Sequence, residues 1–285
     1  VMRILNPKSI SVPLEELGIE EGLYNILTKE IKKPNGMIIN TGPTGSGKTT
    51  TLYAFLKKIY SPEIKIITLE DPVEYHLKGI SQTQIEEDKG YGFADGLRAI
   101  LRQDPDVIMV GEIRDLETAK IAMNAALTGH LVFSTLHTNN AAGTIPRLVD
   151  LGVNPNIIAP AINIAMAQRL MRKLCDACKE KSAPTPEEKA KIDKWAPRLG
   201  GGEVSIWRSK GCPKCNNLGY KGRIGVFEAI VVDNKIEELI LRMPSETEIA
   251  KEAESQGIMN MQQDGISKVI KGGTSLDELE RVIEL

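Results

Sequence analysis

The segment Gly42-Pro43-Thr44-Gly45-Ser46-Gly47-Lys48-Thr49-Thr50 constrains this chain more than any other. It meets the pattern G-x-x-x-x-G-K-[ST] in full. The run from Gly36 to Thr41 before it reads as a short buried strand, and Thr50 to Leu56 after it reads as a helix. A phosphate-binding loop requires that strand–loop–helix frame. The glycines let the backbone curl so that several N–H groups face phosphate oxygens. The helix N-terminus adds partial positive charge. In such a loop Lys48 reaches the β- and γ-phosphates and Thr49 ligates Mg²⁺.

Order elsewhere in the chain follows the same theme. Ile64 to Leu69, Val107 to Val110 and Leu131 to Thr135 read as further strands, with a strand-like piece from Ile80 to Ile85. Helices are expected at Glu21–Ile31, Phe93–Leu101 and Thr118–Leu127, and another from Asn156 to Arg169. Val107-Ile108-Met109-Val110 is a continuous apolar run, as in a strand buried on both faces. Strands alternating with helices predict an α/β fold with a parallel-rich sheet and helices on both faces. The alternation stops after Arg169. A final strand is expected at Arg223–Val231, then short helices, the last opened by a capping box of Ser275 and Glu278.

Nucleotide hydrolysis also needs acids for Mg²⁺ and water, and polar groups at the γ-phosphate. Ligands of open α/β sheets bind at the carboxyl ends of strands. Glu70 and Asp71 end the second strand, and Gly111-Glu112 ends the third. An apolar strand followed at once by an acid is a Walker-B-like pattern. His137 lies at the carboxyl end of the fourth strand, beside the expected γ-phosphate, whereas His130 lies at its other end. For His130 a structural and a functional reading stand level. His76 reads as a loop residue, Glu74 and Asp115 as solvated or ion-paired loop charges, and Arg98 and Arg102 as a solvated or ion-paired helix face. Arg3 and Arg114 are the better candidates for nucleotide contacts.

The four cysteines form two knuckles, Cys175-x-x-Cys178 and Cys212-x-x-Cys215, with 33 residues between them. Four thiolates so paired suit a closed structural Zn²⁺ site with no open catalytic position. The long spacer predicts a helix inside the module. A net charge of −2 and no row of aromatics argue against a nucleic-acid surface. No apolar run approaches the length of a membrane span. The chain opens on Val1 within an apolar stretch, which reads as part of a longer protein.

These residues together resemble the secretion ATPase superfamily, in particular the assembly ATPases of type II secretion and type IV pili. Four signatures occur in order: the loop at Gly42–Thr50, an Asp box at Thr68–Glu74, a Walker B segment from Leu101 to Asp115, and a His box from Thr128 to Asn139. The tetracysteine module with Gly219-Tyr220-Lys221-Gly222-Arg223 also fits. The resemblance implies a RecA-like P-loop core (36–170) after the remnant of a preceding domain (1–35). A zinc module (171–222) and a C-terminal strand with a helical bundle (223–285) would follow. It implies ATP, Mg²⁺ and Zn²⁺ as cofactors, Glu112 near Mg²⁺ or its water, Glu70 as candidate base, and His137 near the γ-phosphate. Arg3 matches the last strand of the preceding domain, which supplies arginines to the nucleotide. The implied assembly is a homo-hexamer on the cytoplasmic side of the inner membrane. It would associate with the membrane peripherally, through platform and adaptor proteins, and would have no nucleic-acid partner. Retraction and conjugation relatives lack the zinc module, so extension or secretion is expected. A nucleic-acid translocase with a zinc ribbon is the competing reading.

Overall fold

The computed structural model describes residues 12–195 and 204–285. The sequence also suggests a strand-like piece at Met2–Leu5, which includes Arg3, and a turn at Gly200–Gly202, and both lie outside the described residues. Helix α1 (Glu21–Glu30) precedes β1 (Gly36–Thr41), and α2 (Lys48–Ile59) follows it. Strands β2 (Ile66–Glu70) and β3 (Ser81–Gln84) lead to α3 (Phe93–Leu101), β4 (Val107–Val110), α4 (Leu116–Leu127) and β5 (Leu131–Leu136). Then come α5 (Thr144–Asp150), α6 (Pro155–Ala161) and the long β6 (Ile162–Leu174). The cysteine module carries β7 (Lys179–Ser182), α7 (Pro186–Trp195) and β8 (Ile206–Ser209). Strand β9 (Tyr220–Val231) returns to the main sheet, followed by α8 (Asn234–Leu241), α9 (Glu246–Ala253), α10 (Met261–Ile270) and α11 (Leu276–Val282).

The main sheet runs β3-β2-β4-β5-β1-β6-β9, with β9 antiparallel to β6 and every other pair parallel. Its inner strands are buried on both faces, which is why they read as unbroken apolar runs. On one face Met37, Ile39, Ile108 and Val132 pack under α3, α4 and α6 through Leu97, Ala122, Met123 and Ile158. On the other, Ile38, Met109, Phe133 and Met166 pack against Leu52, Phe55 and Leu56 of α2 and Leu27 of α1. Phe55 and Phe133 meet with ring centroids 5.8 Å apart.

One expected element is different. The helix foreseen over 156–169 ends at Ala161, and the chain continues as β6. Ile157, Ala161, Ile164 and Ala165 share a helical spacing, but Ile164 and Met166 serve one face of the sheet and Ile162 and Ala167 the other. A strand buried on both sides satisfies helical and extended patterns alike. Helix α5 was not foreseen. The helix expected within the cysteine module is α7.

Beyond Ala167, β6 runs on past the end of β1, accompanied by β9 alone. At its end the ribbon is bolted to α11. Ser275 caps that helix by accepting from the Glu278 N–H, but Glu278 does not close the box. Its buried carboxylate turns to the ribbon instead. It accepts from the Arg172 N–H at 2.9 Å and Arg172 Nε at 2.8 Å, and from Arg281 Nε at 2.8 Å and Nη2 at 2.7 Å. Burial disfavours its charge, yet the hydrogen bonds from Arg281 and Arg172 outweigh this and hold Glu278 down at about 2. A depressed carboxylate contributes stability that is complete above the ordinary carboxylate range and is lost as pH falls toward about 2. Glu278→Ala leaves the Arg172 N–H without its partner while both half-exposed guanidinium groups can turn to water, and it is expected to cost about 1–3 kcal/mol. Denaturant unfolding at neutral pH measures this, and the deficit should shrink as the pH is lowered through that window.

Candidate active site

The carboxyl ends of β1, β2, β4 and β5 open on one cleft of about 570 Å³. Lys48, Thr49, Glu70, Asp71, Glu112, Arg114, Thr135, His137 and Gln168 are among its lining residues. The loop from Gly42 to Gly47 turns back on itself into α2. Gly47, the residue before the helix, has φ 92°, and a Cβ there would lie 2.9 Å from Gln168 Nε2. At Gly42 a Cβ would come within 2.5 Å of the Gln168 carbonyl. Only glycine fits either position. Lys48 Nζ donates to the carbonyls of Gly42 at 2.7 Å and Pro43 at 3.1 Å. Burial lowers its pKa, and the charge of Glu112 opposes that shift. The Ser46 hydroxyl is buried with no hydrogen-bond partner among the described residues. A buried lysine at a helix N-terminus and an orphaned hydroxyl in a glycine-shaped loop fit the phosphates of a nucleotide. Thr49 lies exposed in the first turn of α2, as a Mg²⁺ ligand there requires.

Two acids reach the cleft in different states. Glu70 ends β2 with 3% of its surface exposed. Its Oε1 accepts from Thr68 Oγ1 at 2.5 Å and Gln82 Nε2 at 3.0 Å, and its Oε2 accepts from the Tyr53 hydroxyl. Burial and the bond to Glu70 raise the Tyr53 pKa, so the phenol keeps its proton. Glu112 follows β4 on a backbone fixed from both sides: Gly111 N–H donates to Leu69 O at 2.8 Å and Ile113 N–H to Thr135 O at 3.1 Å. Its carboxylate faces the cleft, paired with Arg114 and 3.3 Å from His137 Nε2. Arg114 also lies 3.6 Å from Asp71.

The remaining candidates separate cleanly. His130 Nδ1 is 3.0 Å from the Ala125 carbonyl at the end of α4, away from the cleft. Asp115 is an exposed charge with a structural task. It caps α4, accepting from Thr118 N–H and Oγ1, both at 2.8 Å. Arg98 pairs with Asp95 and Glu117 on the surface, as foreseen. His76 and Glu74 are exposed.

Sequence reasoning passed over Gln168, because it fell in a stretch read as helix. The structure puts it on β6, buried, under the phosphate loop. Its Oε1 accepts from Asn40 Nδ2 at 2.9 Å and Thr51 Oγ1 at 2.8 Å, tying the end of β1 to the start of α2. Thr41 and Arg169 carry no motif, because each acts through a neighbour in space. Thr41 Oγ1 accepts from the Thr138 N–H at 2.8 Å, and Arg169 Nη2 donates to Asn139 O at 2.7 Å.

The four cysteines form a second site. Their sulfur atoms lie within 4.8 Å of one another, with Cys175–Cys212 at 4.0 Å and Cys178–Cys215 and Cys212–Cys215 at 3.8 Å. A tetrahedral zinc with its usual sulfur bonds has edges of about 3.8 Å. The Cys212 and Gly219 N–H groups each lie 3.2 Å from Cys215 Sγ and stabilise a thiolate. The residues fit such an ion.

Fold and cleft together define a P-loop nucleotide-binding protein. The chain belongs to the family described as Type II/IV secretion system protein, which it matches over residues 1–281. It is 46% identical to Type II secretion system protein E of Aeromonas hydrophila, over 99% of this chain and 55% of that protein. It is 43% identical to the Type IV pilus assembly ATPase PilB of Myxococcus xanthus, over 98% of this chain and 49% of that protein. The chain therefore spans about half the length of these curated relatives. Among solved structures it resembles the pilus retraction motor PilT with bound ADP, with a TM-score of 0.68 and 30% identity over 95% of this chain and 66% of that one. The ATPase DotB of Legionella pneumophila matches with a TM-score of 0.66 and 26% identity, over 95% of this chain and 64% of that one.

Gln168→Ala strips a buried acceptor from both Asn40 and Thr51. Unfolding free energy should fall by roughly 1–3 kcal/mol, and nucleotide affinity should fall with it. Unchanged values of both would mean that the loop does not depend on this amide.

Proposed function

We propose that this chain is the ATP-hydrolysing unit of a motor that drives assembly of a type II secretion pseudopilus or a type IV pilus. The observation that carries the reading is the convergence of Lys48, Glu112 and His137 on one cleft around a complete phosphate loop. Gly42 to Thr50 would cradle the phosphates through their N–H groups, and Lys48 would exchange its carbonyl partners for phosphate oxygens. Mg²⁺, held by Thr49 beside Glu112, would neutralise charge on the transferring group. Of the two acids, Glu112 is assigned to the attacking water. Its carboxylate is partly exposed in the cleft, with partners at its mouth, whereas Glu70 is buried among Thr68, Gln82 and Tyr53. Glu70 then serves to fix the floor of the site. His137, next to Glu112, is assigned to the γ-phosphate. Arg3 joins this reading as a nucleotide contact from the segment before residue 12.

The finer points rest on the relatives. A homo-hexamer, inner-membrane platform and cytoplasmic adaptor partners, and a cytoplasmic station at that membrane suit a secretion or pilus ATPase. Among the described residues no helix is long and apolar enough to cross a membrane, which suits attachment through partners. The cysteine cluster is assigned a structural Zn²⁺ within a module spanning 171–222.

Glu112→Gln should leave ATP affinity within about threefold and cut turnover by about a hundredfold or more. Steady-state ATPase assays beside nucleotide titrations check this, and undiminished turnover would remove Glu112 from the reaction. The same assay run against protein concentration, with and without single-stranded DNA, tests the wider reading. A rate that rises cooperatively and ignores DNA supports the secretion motor. DNA stimulation would point to a translocase. Metal analysis should find one zinc per chain, lost in Cys212→Ser with ATP affinity preserved. A parallel loss of nucleotide binding would show that the two sites are not independent.

A further inference from the structure

The segment after β5 carries His137 into the cleft and then leaves it as Thr138-Asn139-Asn140-Ala141. It has no secondary structure of its own to hold it. Four side chains from four other elements do so. Thr41, at the end of β1, accepts from the Thr138 N–H at 2.8 Å and lies 2.7 Å from its hydroxyl. Arg169 of β6 donates to the Asn139 carbonyl. Glu246, the first residue of α9, accepts from Asn140 Nδ2 at 2.5 Å. Glu228 of β9 accepts from the Ala141 N–H at 2.8 Å through Oε1.

Glu228 differs from the other three. Its second oxygen, Oε2, accepts from the Met261 N–H at 3.1 Å, in the first turn of α10. One carboxylate therefore joins the loop that bears His137 to the N-terminus of a C-terminal helix. It does so from the strand position registered with Ala167, where the β6–β9 ribbon leaves the main sheet. The position has a cost: burial raises the Glu228 pKa, with the two N–H donors and the Arg169 charge opposing. A carboxylate kept in a desolvated place and aimed at two backbone donors constrains both segments.

We infer that Glu228 is a positioning residue for the nucleotide site, holding the 137–143 loop, and through it His137, in register against Glu112. The inference rests on the functional reading given above. Glu228 touches neither the cleft nor any reacting atom. Its effect on turnover is assigned to His137, the residue of this loop that lines the cleft.

The test is a double-mutant cycle of Glu228→Gln and His137→Ala, with turnover and ATP affinity measured for all four proteins. Glutamine keeps the shape but loses one of the two acceptors. Glu228→Gln should lower kcat by about tenfold or more and leave affinity within about twofold. In the His137→Ala background the same change should cost little further. An equal loss in both backgrounds, or a loss that falls on affinity, overturns the inference. Amide hydrogen exchange supplies a readout that needs no turnover. Exchange at Ala141 and its neighbours should quicken in Glu228→Gln while the amides of β1 stay protected. Unchanged exchange at Ala141, or exchange quickened throughout the fold, also overturns it. A wild-type chain without ATPase activity would defeat the functional reading alone, and the exchange comparison would still decide the role of Glu228.

Discussion

The phosphate loop is anchored by the amide of Gln168. The phosphate loop is a chain reversal built largely of glycine, which has the most conformational freedom to lose. Its two ends must be held if its N–H groups are to point inward before a ligand arrives. The parallel pairing of β1 with β6 brings Gln168 beneath the loop, and its single carbonyl oxygen holds Asn40 at one end and Thr51 at the other. The loop is thus fixed by a strand that lies more than a hundred residues away in sequence. A mispaired β6 would release it, because a slip of one residue would send Gln168 to the opposite face.

The two acids show how neighbours decide what a residue can do. Sequence places Glu70 and Glu112 alike, each at or just past the end of an apolar strand. In the structure they are opposites. Glu70 is saturated by donors from its own strand, from α2 and from β3, and it stiffens the base of the cleft. Glu112 keeps a face toward the cleft, with Arg114 and His137 at its oxygens. Arg114 is held charged chiefly by its hydrogen bond to Glu112 and also by the charge of Asp71, so the cleft mouth carries a fixed positive group beside its principal acid.

Much of this was legible in the chain itself. The phosphate loop, the strands ending in Glu70 and Glu112, His137 and the cysteine knuckles are all local patterns, and local patterns survive without knowledge of the fold. What escaped were contacts between segments distant in sequence. The first part of β6 reads as a helix in the sequence because its residues are apolar toward both faces of the sheet. With that error Gln168 and Arg169 lost their significance. Ser275 could be read as a cap, but Glu278 could not be read as the partner of Arg172, since nothing near it in sequence announces that pairing. Glu228 sits in an apolar strand with no motif, and only the packing of α10 and the His137 loop against β9 gives it two partners.

The extended ribbon of β6 and β9 has a geometric consequence. Past Ala167 its two strands run about 20 Å beyond the sheet edge, carrying Gln168 at the root and the cysteine cluster at the tip. The two strands are paired along this length, and the Glu278 carboxylate clamps the far end to α11. The phosphate loop and the cysteine cluster are therefore the two ends of one continuous pair of strands, and their separation is set by backbone pairing rather than by a connecting loop.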